Sequence, residues 1–125
     1  MNLKSEHSPQ SPLSPEMLNI TRKPDQADVY LVVPEDLLYF RGHFPGFAIL
    51  PGVVQVGWAI QYSTELFPLG AVFASSIRVK FRKPIRPGHR LTLSLKHAAA
   101  RRIVQFEYLD GEGPCASGQI GFAVE

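Results

Sequence analysis

The sequence predicts an α+β domain in which one antiparallel sheet wraps around a single central buried helix. Three observations predict it. Segments rich in β-branched and alternating apolar residues recur along the chain, separated by short turns of Gly, Pro and Asp, and strands joined so closely must pair antiparallel. One long segment from Val53 is apolar on nearly all sides, which predicts a buried helix. With 125 residues, 45% of them hydrophobic, the chain can build one core and not two.

Taken in order, residues 5–15 (Ser-Glu-His-Ser-Pro-Gln-Ser-Pro-Leu-Ser-Pro) resist helix and offer little apolar surface to offset ordering entropy. Residues 1–16 are therefore expected as a disordered tail or a loosely docked arm, and residues 17–125 as the folded domain. Residues 17–23 and 27–33 read as strands around a Pro24-Asp25 turn. The following loop, residues 39–51, has its backbone fixed by Gly42, Pro45, Gly46, Pro51 and Gly52. The helix from Val53 should end before Pro68 and Gly70. Gly57 in its middle costs about 1 kcal/mol against alanine, which predicts that something approaches closely there. Four more strands follow at residues 72–81, 90–97, 102–109 and 115–124.

The net charge of +2 is too small to argue for nucleic acid. Its distribution is uneven: no Asp or Glu stands between Leu66 and Phe106, where Arg78, Lys80, Arg82, Lys83, Arg86, Arg90, Lys96, Arg101 and Arg102 all fall. Such a stretch favours an acidic partner, with solvated strand faces as the plainer explanation. The lone Cys115 excludes an intrachain disulfide and suits a reducing compartment; it reads as a small buried hydrophobe. No leader-like apolar segment is visible, and no run reaches the ~20 apolar residues of a membrane span, so a cytoplasmic location is expected. His7, His89 and His97 are expected at solvent-exposed positions. The histidines show no metal-ligand spacing, and neither a phosphate-cradling loop nor a serine elbow appears, so no metal or cofactor is expected.

Two motifs make the reading specific. Residues 40–53, Phe-Arg-Gly-His-Phe-Pro-Gly-Phe-Ala-Ile-Leu-Pro-Gly-Val, resemble the active-site signature of 3-hydroxyacyl-(acyl-carrier-protein) dehydratases. That signature is phi-x-Gly-His-Phe-Pro-Gly-x-Pro-phi-x-Pro-Gly-Val, with phi apolar; the chain departs from it at Ala48 and continues without gaps through Gln61. Residues 81–88, Phe-Arg-Lys-Pro-Ile-Arg-Pro-Gly, are similar to the family's Phe-Arg-x-Pro-Val-x-Pro-Gly segment. The likeness spans about residues 17–124. Within the family, Gln55, Trp58 and Ala59 after Pro51-Gly52-Val53 look most like the dehydratase-like proteins of aryl polyene clusters.

The resemblance implies a hot-dog fold, a homodimer with sites formed between subunits, and elimination of water from a 3-hydroxyacyl thioester on acyl carrier protein. It implies His43 as the base that removes the α-proton, a task that suits a group titrating near neutral pH. The Gly52 amide would polarise the thioester carbonyl, as a helix N-terminus is able to do. Phe44, Pro45, Gly46, Pro51, Val53, Gly57 and Gln61 would line the substrate. The acidic carrier gives the basic stretch a partner, with Arg82, Lys83, Arg101 and Arg102 as docking residues. One departure stands out: the family's second catalytic residue, a Glu or Asp fourteen positions after the histidine, is Gly57 here. Tyr39, Tyr62 or a water held by Gln61 are the candidates to replace it. The alternatives are a non-catalytic thioester-binding or dimer-partner subunit, and a hot-dog thioesterase.

Overall fold

The computed structural model describes residues 13–37, 40 and 48–125. Six strands form one antiparallel sheet: β1 (Glu16–Lys23), β2 (Gln26–Val32), β3 (Val72–Phe81), β4 (Arg90–Ala98), β5 (Ile103–Asp110) and β6 (Gly113–Val124). Their order across the sheet is β1-β2-β4-β5-β6-β3. Between β2 and β3 in sequence runs α1 (Gly52–Leu66), the one α-helix among the described residues. Every predicted strand and the helix is present, with ends shifted by no more than two residues.

Period-two alternation explains why each strand keeps one face inward. In β4, Leu91, Leu93 and Leu95 are buried; in β5, Val104, Phe106 and Tyr108; in β2, Ala27, Val29 and Leu31. They share one apolar cluster with Val54, Val56, Trp58 and Ala59 of α1. Each fully buried leucine contributes about 2 kcal/mol by removal from water. This is the hot-dog arrangement that the resemblance implies.

Two sequence expectations fail for physical reasons. The helix is not buried all round: Val53, Gly57, Gln61, Thr64 and Glu65 form an exposed stripe, with Val53 79% accessible. His97 is not at the surface. It continues the inward row of Leu91, Leu93 and Leu95, is 8% accessible, and lies with its ring 5.1 Å from that of Phe67. His89 is also held rather than free, since its Nδ1 accepts the Arg86 N–H at 3.0 Å.

Of the expected tail, residues 1–12 lie outside the described residues. At its described end, the Trp58 indole N–H donates to the Leu13 carbonyl at 3.2 Å, so the segment entering β1 passes over the helix. No helix of the described residues is long and apolar enough to cross a membrane.

Candidate active site

The two motifs meet at the start of α1. Pro51 caps the helix with φ −59° and ψ 145°, an extended conformation that proline adopts readily. Its carbonyl accepts the Val54 and Gln55 N–H groups at 3.1 and 3.2 Å, which begins the helix. The N–H groups of Gly52 and Val53 find no acceptor among the described residues, and no side chain caps them. The first turn carries no acidic residue. The positive end of the helix dipole is therefore unneutralised, which suits a carbonyl that gains negative charge.

Gly52 is required by a close approach. A methyl group on its Cα would stand 2.4 Å from Phe81 Cζ and 3.0 Å from each Cε. Phe81, the first residue of the second motif, thus lays its ring over the helix start. The same motif fixes the preceding strand of loop, because the Leu50 N–H donates to the Ile85 carbonyl at 2.8 Å. From the core side, Gln55 Nε2 donates to the Leu50 carbonyl at 3.1 Å, and its own carbonyl accepts the buried Tyr108 hydroxyl at 2.7 Å. Gln55 Oε1 is buried without a partner among the described residues. Sequence reasoning used Gln55 and Phe81 only as marks of resemblance; the structure makes them braces of the loop and helix.

A clasp on the far side of the second motif holds it in turn. The Asp110 carboxylate accepts Lys83 Nζ at 2.8 Å and the Glu112 N–H at 2.7 Å, and His89 Nε2 lies 3.6 Å away. The Lys83 hydrogen bond, then the backbone one, holds the Asp110 carboxyl down at about 2. Lys83, expected as a docking cation, is already engaged in this ion pair. Cys115 behaves as the sequence suggests: it is buried, and burial followed by the Asp110 charge pushes its thiol up to about 11, so no thiolate forms near neutral pH.

The predicted site residues divide into groups. Val53, Gly57 and Gln61 follow one another at helical spacing along the exposed stripe that starts beside Gly52 and Pro51. His43, Phe44, Pro45 and Gly46 lie outside the described residues, as does Tyr39. Gly57 does not have the expected close neighbour: a methyl placed there meets nothing within 4 Å among the described residues. Of the possible acids, Gln61 donates to Glu65 Oε2 at 3.2 Å and so points along the helix. The Tyr62 hydroxyl is shifted upward by burial and then by Glu65, so it stays protonated. Its position, five residues from Gly57, puts it about 140° around the helix from that glycine.

The basic residues, contiguous in sequence, separate in space. Arg82 follows Phe81 at the Gly52 end of β3. The Arg102 carbonyl accepts the Phe122 N–H at 2.9 Å, and Phe122 pairs with Ala74 at the opposite end of β3. Arg82 and Arg102 are thus roughly 25 Å apart along the strand.

With this geometry in place, comparison with known proteins is informative. The family model described as ApeI-like, ApeI dehydratase, matches residues 19–119. The 3-hydroxyacyl-(acyl-carrier-protein) dehydratase FabZ of Desulfotalea psychrophila is 38% identical over 54% of this chain and 51% of its own length. FabZ of Geobacter metallireducens is 38% identical over 51% of this chain and 49% of its own. The chain thus spans about half the length of these curated relatives. Among solved structures, the dehydratase heterocomplex ApeI:P from Xenorhabdus doucetiae superposes with a TM-score of 0.81 at 30% identity, covering 88% of this chain and 98% of the other.

Proposed function

Since the chain belongs to the ApeI-like dehydratase family, we propose that it eliminates water from 3-hydroxyacyl thioesters carried on acyl carrier protein, in cytoplasmic fatty-acid or polyene-type lipid synthesis. His43 takes the proton α to the thioester carbonyl. The carbonyl oxygen gains negative charge and is held by the Gly52 N–H. The α,β double bond then forms as the β-hydroxyl leaves with a proton, as water. The observation that carries this reading is the uncapped helix start at Gly52, roofed by Phe81 and six residues after the end of the Gly-His-Phe-Pro-Gly run in sequence.

The working unit is a homodimer joined edge to edge. Among the described residues β3 pairs on one side only, with β6, and its other edge has no partner strand. Along it Phe73, Ile77 and Phe81 are each about half exposed, and Val53 continues the apolar surface onto α1. An unpaired strand of this kind is a template for a second copy. Arg82, beside the site, is the docking cation for the acidic carrier; Arg101 and Arg102 serve the other end of the sheet.

A second reading rests on Gly57. Without a carboxylate at position 57, the acid for the departing hydroxyl has to come from elsewhere, and general acid assistance is worth ~10²–10⁴-fold. A different hot-dog subunit could bring it, the chain itself being the thioester-binding partner; the Xenorhabdus relative is a heterocomplex.

One experiment separates these readings. The purified protein, incubated alone with 3-hydroxyacyl carrier protein, should convert substrate to a product lighter by one water, as read by mass spectrometry. His43→Ala should abolish conversion while the circular dichroism spectrum is kept. Gly57→Glu should lower turnover of a rigid conjugated chain by filling the space that glycine leaves. Turnover unaffected by His43→Ala sinks the mechanism. No turnover by the wild type alone leaves the partner-subunit reading.

A further inference from the structure

The peptide group joining Pro51 to Gly52 carries both the carbonyl that begins α1 and the N–H that holds the substrate oxygen in the proposed reaction. Being planar and trans, it points the two in opposite directions, so whatever fixes the Pro51 carbonyl also aims the Gly52 N–H. That carbonyl accepts the Val54 and Gln55 N–H groups at 3.1 and 3.2 Å. The neighbouring peptide group, Leu50 to Pro51, is held by the same glutamine: Gln55 Nε2 donates to the Leu50 carbonyl at 3.1 Å. We propose that Gln55 is a positioning residue of the dehydration site, which fixes the direction of the Gly52 N–H by holding the peptide groups on both sides of Pro51. The catalytic consequence rests on the dehydratase reading; the geometry rests on these hydrogen bonds alone.

The surroundings of Gln55 make this role specific. It is only 4% accessible and stands between Val54 and Val56, both members of the apolar cluster. An aliphatic side chain would fill that position at no polar cost, whereas a buried amide has two ends to satisfy. One end is not satisfied: Oε1 has no partner among the described residues. An acceptor buried unpaired costs about 1–3 kcal/mol, so stability does not explain the amide. What the amide does that an aliphatic chain cannot is reach out of the helix to the loop before it. Ser63, the other buried polar side chain of α1, has no such reach, because its hydroxyl returns to the Ala59 carbonyl of its own helix at 2.7 Å. Gln55 is itself held from the sheet: the buried Tyr108 hydroxyl of β5 donates to its backbone carbonyl at 2.7 Å. From the other direction, the Leu50 N–H donates to the Ile85 carbonyl at 2.8 Å. Both polar backbone atoms of Leu50 are thus engaged, one by the helix and one by the second motif, and the entry into Gly52 is held on both sides. A donor aimed before the substrate arrives needs no reorganisation when charge develops on the carbonyl oxygen.

Gln55→Met removes the amide and keeps an unbranched chain of similar length; Gln55→Leu repeats the change with a branched one. Each also removes the unpaired oxygen, so the fold should survive, as read by circular dichroism and melting temperature. NMR relaxation of the backbone amides gives the order parameter of the Gly52 N–H in the full chain. It should lie near the rigid value of about 0.85 in the wild type and fall toward roughly 0.6 in the variants. Turnover of a 3-hydroxyacyl carrier protein should drop about tenfold in kcat with KM unchanged, since complete loss of one oxyanion donor costs ~10²–10³-fold and a loosened one costs less. A wild-type Gly52 N–H more mobile than its neighbours in α1 overturns the proposal with no variant needed. So does an unchanged Gly52 order parameter in a folded variant, an unchanged kcat where the wild type turns over, or a loss confined to KM. A wild type without turnover overturns the dehydratase reading instead, and the order parameter then still decides whether Gln55 aims the Gly52 N–H.

Discussion

Asp110 shows how a residue remote from Gly52 shapes the candidate site. Its side chain is only 10% exposed, and through Lys83 it anchors the loop whose first residue roofs Gly52. Its carboxyl is held at about 2, below the ordinary 3.8, first by the Lys83 hydrogen bond. A carboxylate depressed in the folded state contributes stability above its unfolded pKa and loses it as pH falls toward the folded one. The contribution should therefore be full above about pH 4 and vanish toward pH 2. Asp110→Asn should be less stable than wild type near neutrality, and the gap in melting temperature should close across that window. Parallel curves for the two proteins would show that the ion pair does not stabilise the loop. Nothing in the sequence pointed to Asp110, because a turn aspartate before Gly111 is expected from turn chemistry alone. His43 and Gly52, in contrast, are proposed from a motif whose spacing is specific.

The elements were legible because their periods were clean. β4 alternates without a break, and α1 is closed by Pro51 on one side and by Phe67, Pro68 and Gly70 on the other. Hydrophobicity failed where it had to choose a face. The helix sequence is apolar enough for full burial, yet Val53 and Gly57 face outward, because a composition cannot say whether the covering surface belongs to the same chain. His97 was misplaced for the opposite reason: its polarity suggested solvent while its parity on β4 turned it inward. The open space at Gly57 carries a prediction for the element. Alanine there should gain up to about 1 kcal/mol of helix propensity, which corresponds to a rise of about 4 °C in melting temperature for a domain of this size. A fall in stability, measured by thermal denaturation, would mean that another chain approaches the glycine in solution.

At the scale of the molecule, the proposed assembly turns on the edge of β3 that no described strand pairs with. Ile77 is 46% exposed on that edge. A lysine there should put a charge into the joined sheets and shift the protein from dimer to monomer in light scattering at micromolar concentration, with loss of turnover. A wild type that is monomeric, or a dimer indifferent to Ile77→Lys, would overturn edge-to-edge pairing. The basic stretch teaches the complementary lesson: a run of like charges in sequence becomes two separate ends once strands reverse direction. The strand order has a further consequence for biosynthesis. β3 precedes β4, β5 and β6 in the chain, yet its one partner among the described strands is β6. While the ribosome makes the protein from its N-terminus at ~5–20 residues per second, β3 and the Phe81 that roofs Gly52 wait, apolar and unpaired, for a strand not yet translated. The β4–β5–β6 meander assembles from neighbours, but the corner at Gly52 is closed only once β6 has followed β4 and β5. A chain released before β6 would leave β3 without its described partner, an apolar strand open to aggregation.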